Sequence, residues 1–347
     1  MKIFPLWREF KRRQTFLPVI IHTGQHYDHN MSQVFFSDMG LPEPDIYLKV
    51  GSASHGRQTG KIMINLESIL KQQQPDIVIV VGDVNSTLAG ALVAVKMALP
   101  VVHIEAGLRS FDRRMPEEIN RVVTDAVSDL LFTSCRDADE NLLREGVSKD
   151  KIHFVGNVMI DSLMTFLPKA KRTKILKELV LKRKNYIVVT LHRPANVDSL
   201  ASLRSILKGL EELTGMGPVI FPVHPRTLKM FKSFGIKPQG SLLRLIPPQG
   251  YLNFLHLLAE SALVITDSGG IQEETTFLGI PCLTLRPNTE RPITIAQGTN
   301  RLIDINKQSL FKEASAALKN PIKLPKIEKW DGKTAARIAD ILERKCR

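Results

Sequence analysis

The sequence predicts an α/β protein built from two Rossmann-like, doubly wound domains. Three observations carry that expectation. Short Val- and Ile-rich runs recur without strict alternation, amphipathic stretches separate them, and 347 residues exceed what one small domain requires.

The strand-like runs lie at 19–22, 76–81, 101–105, 130–133 and 152–155, and again at 186–191, 219–223, 242–246, 263–266 and 282–285. Apolar residues at consecutive positions mark strands buried on both faces of a parallel sheet. Helical spacing fills 58–73, 86–98, 117–128, 137–145, 201–213, 251–260 and 271–278. Strand–helix alternation of this kind specifies doubly wound sheets. The segment 332–345 reads as a helix that packs back on the first domain. Between the two series, 164–184 is basic and has no strand pattern. The expected division is therefore 1–160 and 161–328, with 329–347 returning to the N-terminal domain.

Composition narrows the function classes. A hydrophobic fraction of 43% and a charged fraction of 24% are those of a globular chain. No apolar run reaches the roughly 18–20 residues of a membrane span. The N-terminus puts a short apolar patch before its basic residues, the reverse of a secretory signal. Cys135, Cys282 and Cys346 are odd in number and lack paired spacing, which points to a reducing, cytoplasmic setting without a zinc site. The net charge of +13 is spread out and lacks interleaved aromatics. It reads as a solvated basic surface, or as attraction for a phosphorylated substrate, rather than as a nucleic-acid footprint.

In open α/β sheets, ligands bind beyond the carboxyl ends of the strands. Asp83 follows the run 76–81, and Glu105 closes 101–105 before Ala106-Gly107-Leu108-Arg109. His192-Arg193 follows 186–191, His224-Pro225-Arg226 follows 219–223, and Asp267-Ser268-Gly269-Gly270 follows 263–266. One charged residue at a strand end is an ordinary turn or cap residue. Five such ends predict a ligand-binding edge on each sheet, facing across an interdomain cleft. Ser268-Gly269-Gly270 would present backbone N–H groups at a helix N-terminus, suited to a phosphate or diphosphate, or would serve only as a cap. Glu273 and Glu274, one turn on, could accept from ribose hydroxyls or merely complement the helix dipole. The chain has no Gly-x-Gly-x-x-Gly after a strand and no Walker lysine loop, which argues against NAD and nucleoside triphosphates.

Asp83, Glu105, Glu117 and Glu118 have no metal-ligand spacing. Carboxylates converging in a cleft would raise one another's pKa and suit general acid–base chemistry. His192 could contribute a positive charge or a proton donor, or be a hydrogen-bonded structural histidine.

These residues resemble the non-hydrolysing UDP-N-acetylglucosamine 2-epimerases, a family of the GT-B fold. The resemblance covers nearly the whole chain, through TGQHYD (23–28), GDVNSTLAG (82–90), HIEAGLRS (103–110), MPEEINR (115–121), GNVMID (156–161), TLHRPANVD (190–198), TDSGGIQEE (266–274) and NTERPITIAQGTN (288–300). It implies elimination of UDP across carbons 1 and 2 of the sugar and its re-addition, for surface polysaccharide precursors, with no metal and no cofactor. By resemblance, Asp83, Glu105 and Glu117 are acid–base carboxylates and His192 stands near the leaving phosphate. Ser268, Gly269 and Gly270 form the phosphate turn, and Glu274 binds ribose. Phe254 lies beside the uracil, while Arg291 and Lys2 contact substrate. Gln25 and His26 match a block that some bacterial members use for an activating second UDP-sugar. The expected partners are a UDP-sugar and a second copy in a homodimer, with neither nucleic acid nor membrane.

Two departures accompany the resemblance. The family opens with a strand and a Gly-Thr-Arg-Pro-Glu loop, whereas this sequence begins at the first helix, so the central strand of the N-terminal sheet is expected to be missing. Many bacterial members read His-Arg-Arg-Glu-Asn where this chain has His192-Arg193-Pro194-Ala195-Asn196. That change leaves a UDP-diacetamido-uronic acid open as the substrate. A hydrolysing epimerase, a GT-B glycosyltransferase and a non-catalytic UDP-sugar-binding protein are further readings.

Overall fold

A computed structural model describes residues 1–25, 40–236, 240–305, 308–319 and 326–345. The chain divides into two units, Met1–Ser162 with Glu328–Arg347, and Leu163–Ile327.

In the first unit, β3 (Val78–Val81), β4 (Val101–Ala106), β5 (Leu130–Thr133) and β6 (Ile152–Phe154) form a parallel sheet in chain order. A separate parallel pair joins β1 (Ile21–His22) to β2 (Ile46–Tyr47). One face of the four-stranded sheet is covered by the first and last helices, Ile3–Arg13 and Thr334–Lys345. Leu6 and Phe10 meet Ala335, Ile338, Ala339 and Leu342 over Val102, Ile104 and Phe132. Polar contacts at the rim fix the pair, with Arg13 bonded to Glu343 at 3.0 Å and to Asp340 at 2.7 Å. Asp161 accepts from the N–H groups of Thr334 (3.2 Å) and Ala335 (2.8 Å), which satisfies two open donors of the last helix. The opposite face packs Leu66 and Leu70 of helix His55–Gln73, with Ala91 and Ala94 of helix Asn85–Lys96, on Val80 and Val101. Each buried Leu, Ile or Val contributes about 1.5–3 kcal/mol.

The second unit holds six parallel strands in the order β12-β11-β10-β7-β8-β9, where β7 is Ile187–Thr190, β8 Val219–Pro222, β9 Leu243–Ile246, β10 Leu263–Thr266, β11 Cys282–Thr284 and β12 Asn300–Leu302. Helices Leu200–Leu213, Pro225–Ser233 and Leu310–Lys319 cover one face, and helices Tyr251–Glu260 and Gly269–Leu278 the other.

All ten anticipated strands form, seven of them shorter by one or two residues and β4 longer by one. The two-residue β2 and three-residue β12 escaped anticipation because so few residues carry no periodic signal. Helix Val158–Ala170 lies where only a strand-free basic stretch was expected from 164 onward, and Pro168 sits inside it. Helix Pro225–Ser233 was likewise unforeseen, although Pro225 occupies the first turn, where its missing N–H costs nothing. No helix among the described residues is long and apolar enough to cross a membrane.

Candidate active site

In the first unit the site residues lie at the carboxyl ends of β3 and β4. Gly82 leaves β3 with φ +78 and its N–H donates to Ile104 O at 3.0 Å, bringing the two strand ends together. The register of β4 against β5 shifts between Ile104 and Ala106, and Glu105 takes φ +69 there. A non-glycine residue in the left-handed region at a bulge is strained, and the bulge re-aims its side chain. The Glu105 carboxylate meets Lys2 Nζ at 2.6 Å. Lys2 stands at the start of helix Ile3–Arg13.

Asp83 pairs with Arg121, one of the largest fully buried side chains. The same guanidinium donates to Glu118 Oε2 from Nη2 (2.6 Å) and Nε (3.0 Å). Glu118 also accepts from Ser110 N–H at 2.9 Å and Phe111 N–H at 2.8 Å, so it clamps the loop after β4. Burial pushes the Glu118 carboxyl up, but the Ser110 N–H and Arg121 outweigh it and hold it below the ordinary range. For Glu118 this corrects the expectation that the acidic residues raise one another's pKa. Asp83 contacts Arg121, Glu105 contacts Lys2 and Glu118 contacts Arg121. Glu117 is half-buried in the first turn of helix Pro116–Val127, next to Glu118. Asn120 of that helix donates to Asp83 O at 2.9 Å.

Gln25 accepts from Ser86 Oγ (2.6 Å) and Ser86 N–H (3.3 Å), while its carbonyl accepts from Gln58 Nε2 at 3.0 Å. His26 lies outside the described residues.

In the second unit the topology supplies the site. From β7 the chain builds β8 and β9 on one side, then β10, β11 and β12 on the other. The switch falls between β7 and β10, where the crevice outside the strand ends takes ligands. His192 follows β7 and Asp267 follows β10. Asp267 is fully buried and accepts from His192 N–H (3.1 Å), Arg193 N–H (2.9 Å) and Asn196 Nδ2 (3.0 Å). His192 Nδ1 lies 2.9 Å from Asp267 Oδ1, with the histidine side chain 44% exposed. The His224 ring stands 5.8 Å away, centroid to centroid.

Ser268, in extended conformation, precedes helix Gly269–Leu278, and its own side chain makes no capping hydrogen bond. The first-turn N–H groups of such a helix are open to an anion. Beneath the turn, Arg291 pairs with Glu290 and Glu273, the latter at 3.0 Å, and Glu290 pairs with Arg286 at 2.7 Å. A side chain at position 269 would meet the Arg291 guanidinium and the Glu290 carboxylate, so that pair would have to shift to admit it. Gln272 donates to Ser268 O at 3.2 Å and accepts from Thr289 (2.7 Å) and Asn300 (3.0 Å). Glu274 is buried, with Tyr251 Oη donating to it at 3.2 Å. Burial pushes its carboxyl up to about 7 against the pull of that hydrogen bond. Phe254 is partly buried on the neighbouring helix Tyr251–Glu260.

The geometry thus joins Asp83 to Glu118, brings Glu105 to Lys2, and pairs His192 with Asp267. Sequence reasoning did not single out Arg121, Tyr251 or Glu290. Arg121 alone had a local signal, standing three residues after Glu118 on a predicted helix.

A family model described as UDP-N-acetylglucosamine 2-epimerase matches residues 8–343. A UDP-N-acetylglucosamine 2-epimerase of Methanocaldococcus jannaschii is 44% identical over 93% of this chain and 90% of its own. A UDP-2,3-diacetamido-2,3-dideoxy-D-glucuronate 2-epimerase of Pseudomonas aeruginosa is 41% identical over 95% and 92%. The solved structure of the M. jannaschii enzyme in complex with UDP-GlcNAc and UDP superposes with a TM-score of 0.92 at 42% identity, covering 99% of this chain and 96% of that one. This chain belongs to the UDP-N-acetylglucosamine 2-epimerase family, isomerases of the GT-B type of α/β fold.

Proposed function

We propose that the chain interconverts UDP-N-acetylglucosamine and UDP-N-acetylmannosamine, supplying precursors of surface polysaccharide in the cytoplasm. One carboxylate among Asp83, Glu105 and Glu117 takes the proton from carbon 2. The electron pair of that C–H bond becomes the carbon 1–carbon 2 double bond of a 2-acetamidoglucal, and UDP departs with the electrons of the C–O bond. UDP returns to carbon 1 while carbon 2 is protonated from the opposite face. The cycle is redox-neutral and moves no hydride, so turnover is expected to be indifferent to EDTA and to added nicotinamide.

The observation that carries this reading is the carboxylate set of the first unit. Asp83 and Glu105 stand at adjacent strand ends beside Arg121 and Lys2, and Glu117 lies on the helix that supplies Arg121. Acid–base work on two faces of one carbon requires more than one such group. In the second unit, His192 and the Ser268-Gly269-Gly270 turn would hold the diphosphate. Glu274 would accept from the ribose, Phe254 would pack by the uracil, and Arg291 would support the turn. Lys2 would contact substrate, and Gln25 an activating second UDP-sugar. The chain would act as a homodimer, which light scattering tests.

The P. aeruginosa relative favours a second reading, in which the substrate is a UDP-diacetamido-uronic acid. Proton NMR in D2O separates the two. UDP-N-acetylmannosamine with deuterium at carbon 2 supports the first reading. Exchange only in the diacetamido sugar supports the second. Release of free sugar would overturn both.

A further inference from the structure

His103 is fully buried in β4, between the apolar Val102 and Ile104. Its Nε2 lies 2.8 Å from Gly82 O. A carbonyl only accepts, so Nε2 carries a proton. Its Nδ1 lies 2.6 Å from Asp125 Oδ1. The other oxygen of Asp125 accepts from Gly107 N–H at 3.0 Å and lies 2.7 Å from Arg109 Nη1. Burial pushes the Asp125 carboxyl up, but His103 and Arg109 together outweigh it and hold it below its ordinary range. The N–H of Gly107 and the Arg109 guanidinium both meet Asp125, contacts that a carboxylate accepts, so the short contact to its other oxygen has Nδ1 donating. Arg109 is balanced in turn by Glu145 at 2.6 Å. Two cations and two anions make a neutral, fully bonded set, the condition under which buried charge is tolerated.

What this set joins is specific. Gly82 immediately precedes Asp83, and Gly107 lies two residues past Glu105. Asp125 belongs to helix Pro116–Val127, which carries Glu117 in its first turn. One imidazole therefore ties the β3 end to the helix, and its carboxylate partner ties in the chain after the β4 bulge.

We propose that His103, as an imidazolium paired with Asp125, is a positioning residue that fixes the strand ends bearing Asp83 and Glu105 against the helix bearing Glu117. This rests on the reading of those three carboxylates as the acid–base set. A loosened imidazole would let the three drift, and misplacement by about 1 Å costs ~10²-fold in rate.

Epimerisation by the unmodified chain tests the function, whereas variants and spectroscopy test this assignment, so the two fail separately. In His103→Gln, the amide keeps a donor for Gly82 O but loses the cation. Its kcat, normalised to UDP-binding sites, is expected to fall ~10²-fold while KM stays within about threefold. Asp125→Asn should act in the same direction, and the double variant should lose no more than the worse single one, because the pair acts as a unit. A merely structural role would lower melting temperature and the number of binding sites while leaving kcat per site intact. Independently, 15N spectra of the histidine-labelled wild type at neutral pH should show both His103 ring nitrogens protonated. Wild-type kcat per site in His103→Gln, or a His103 ring with one bare nitrogen, overturns the proposal. If neither variant folds, the 15N spectrum decides it.

Discussion

His192 Nδ1 and Asp267 Oδ1 are 2.9 Å apart across the point where the six-stranded sheet reverses its winding. Burial pushes the Asp267 carboxyl up, but the His192 hydrogen bond, followed by the Arg193 N–H and Asn196, brings it below its ordinary range. An ionised Asp267 accepts from Nδ1, which leaves Nε2 as the ring nitrogen that the proposed mechanism would use. Asp267→Asn presents an amide in place of that acceptor and frees the ring to change tautomer and orientation. Its kcat is expected to drop about 10²–10⁴-fold, read from steady-state rates alongside UDP affinity by calorimetry. Because the folded pKa is depressed, the stabilisation from Asp267 is present above its unfolded pKa of about 3.9 and is lost as pH falls through the lower folded value.

Asp83→Asn and Glu117→Gln remove single carboxylates without removing volume. Turnover is expected to fall by about 10²–10⁴-fold in each, with the melting transition of Glu117→Gln close to that of the wild type. Asp83→Asn leaves Arg121 with Glu118 as a partner, so that variant should also fold. Circular dichroism and the D2O exchange assay check both, and near-normal rates in the pair would sink the assignment.

Glu274 gives a pH prediction of opposite sign to Asp267. Its folded pKa of about 7 exceeds the ordinary 4.5, so the folded state binds more protons between those values. Stability therefore falls as pH rises through that window, and the full penalty is present above it. Glu274→Gln stays neutral and should be the more stable protein at alkaline pH, by up to about 3 kcal/mol. The gap should close below pH 4.5, as measured by denaturant titration across pH. If ribose hydroxyls bond the carboxylate, UDP affinity in the wild type should rise with pH through 7, with proton release on binding detectable by calorimetry in buffers of differing ionisation enthalpy.

Gly269→Ala drives a methyl group into the Arg291–Glu290 pair beneath the Ser268-Gly269-Gly270 turn. Overpacking of this kind costs about 1–3 kcal/mol. UDP affinity should fall more than tenfold, because the displaced pair supports the N–H groups that would receive the diphosphate. Isothermal calorimetry with UDP, set beside the melting temperature, separates the two effects.

The sequence by itself determined the ten strands it declared, most of the long helices, and the polar residues at strand ends. These are local properties: a run of Val and Ile, a 3.6-residue period, a Ser-Gly-Gly after a strand. It could not supply the short strands Ile46–Tyr47 and Asn300–Leu302, which exist only because a neighbouring strand pairs with them. Nor could it show which charges meet. Arg121 reaches Asp83 across 38 positions, Lys2 reaches Glu105 across 103, and Tyr251 reaches Glu274 across 23. The bulge at Glu105 and the burial that lifts Glu274 likewise arise from packing of segments far apart in the chain. Periodicity reports what a residue faces along its own element, whereas partner, burial and protonation depend on which elements the topology brings together, and only the tertiary structure decided those.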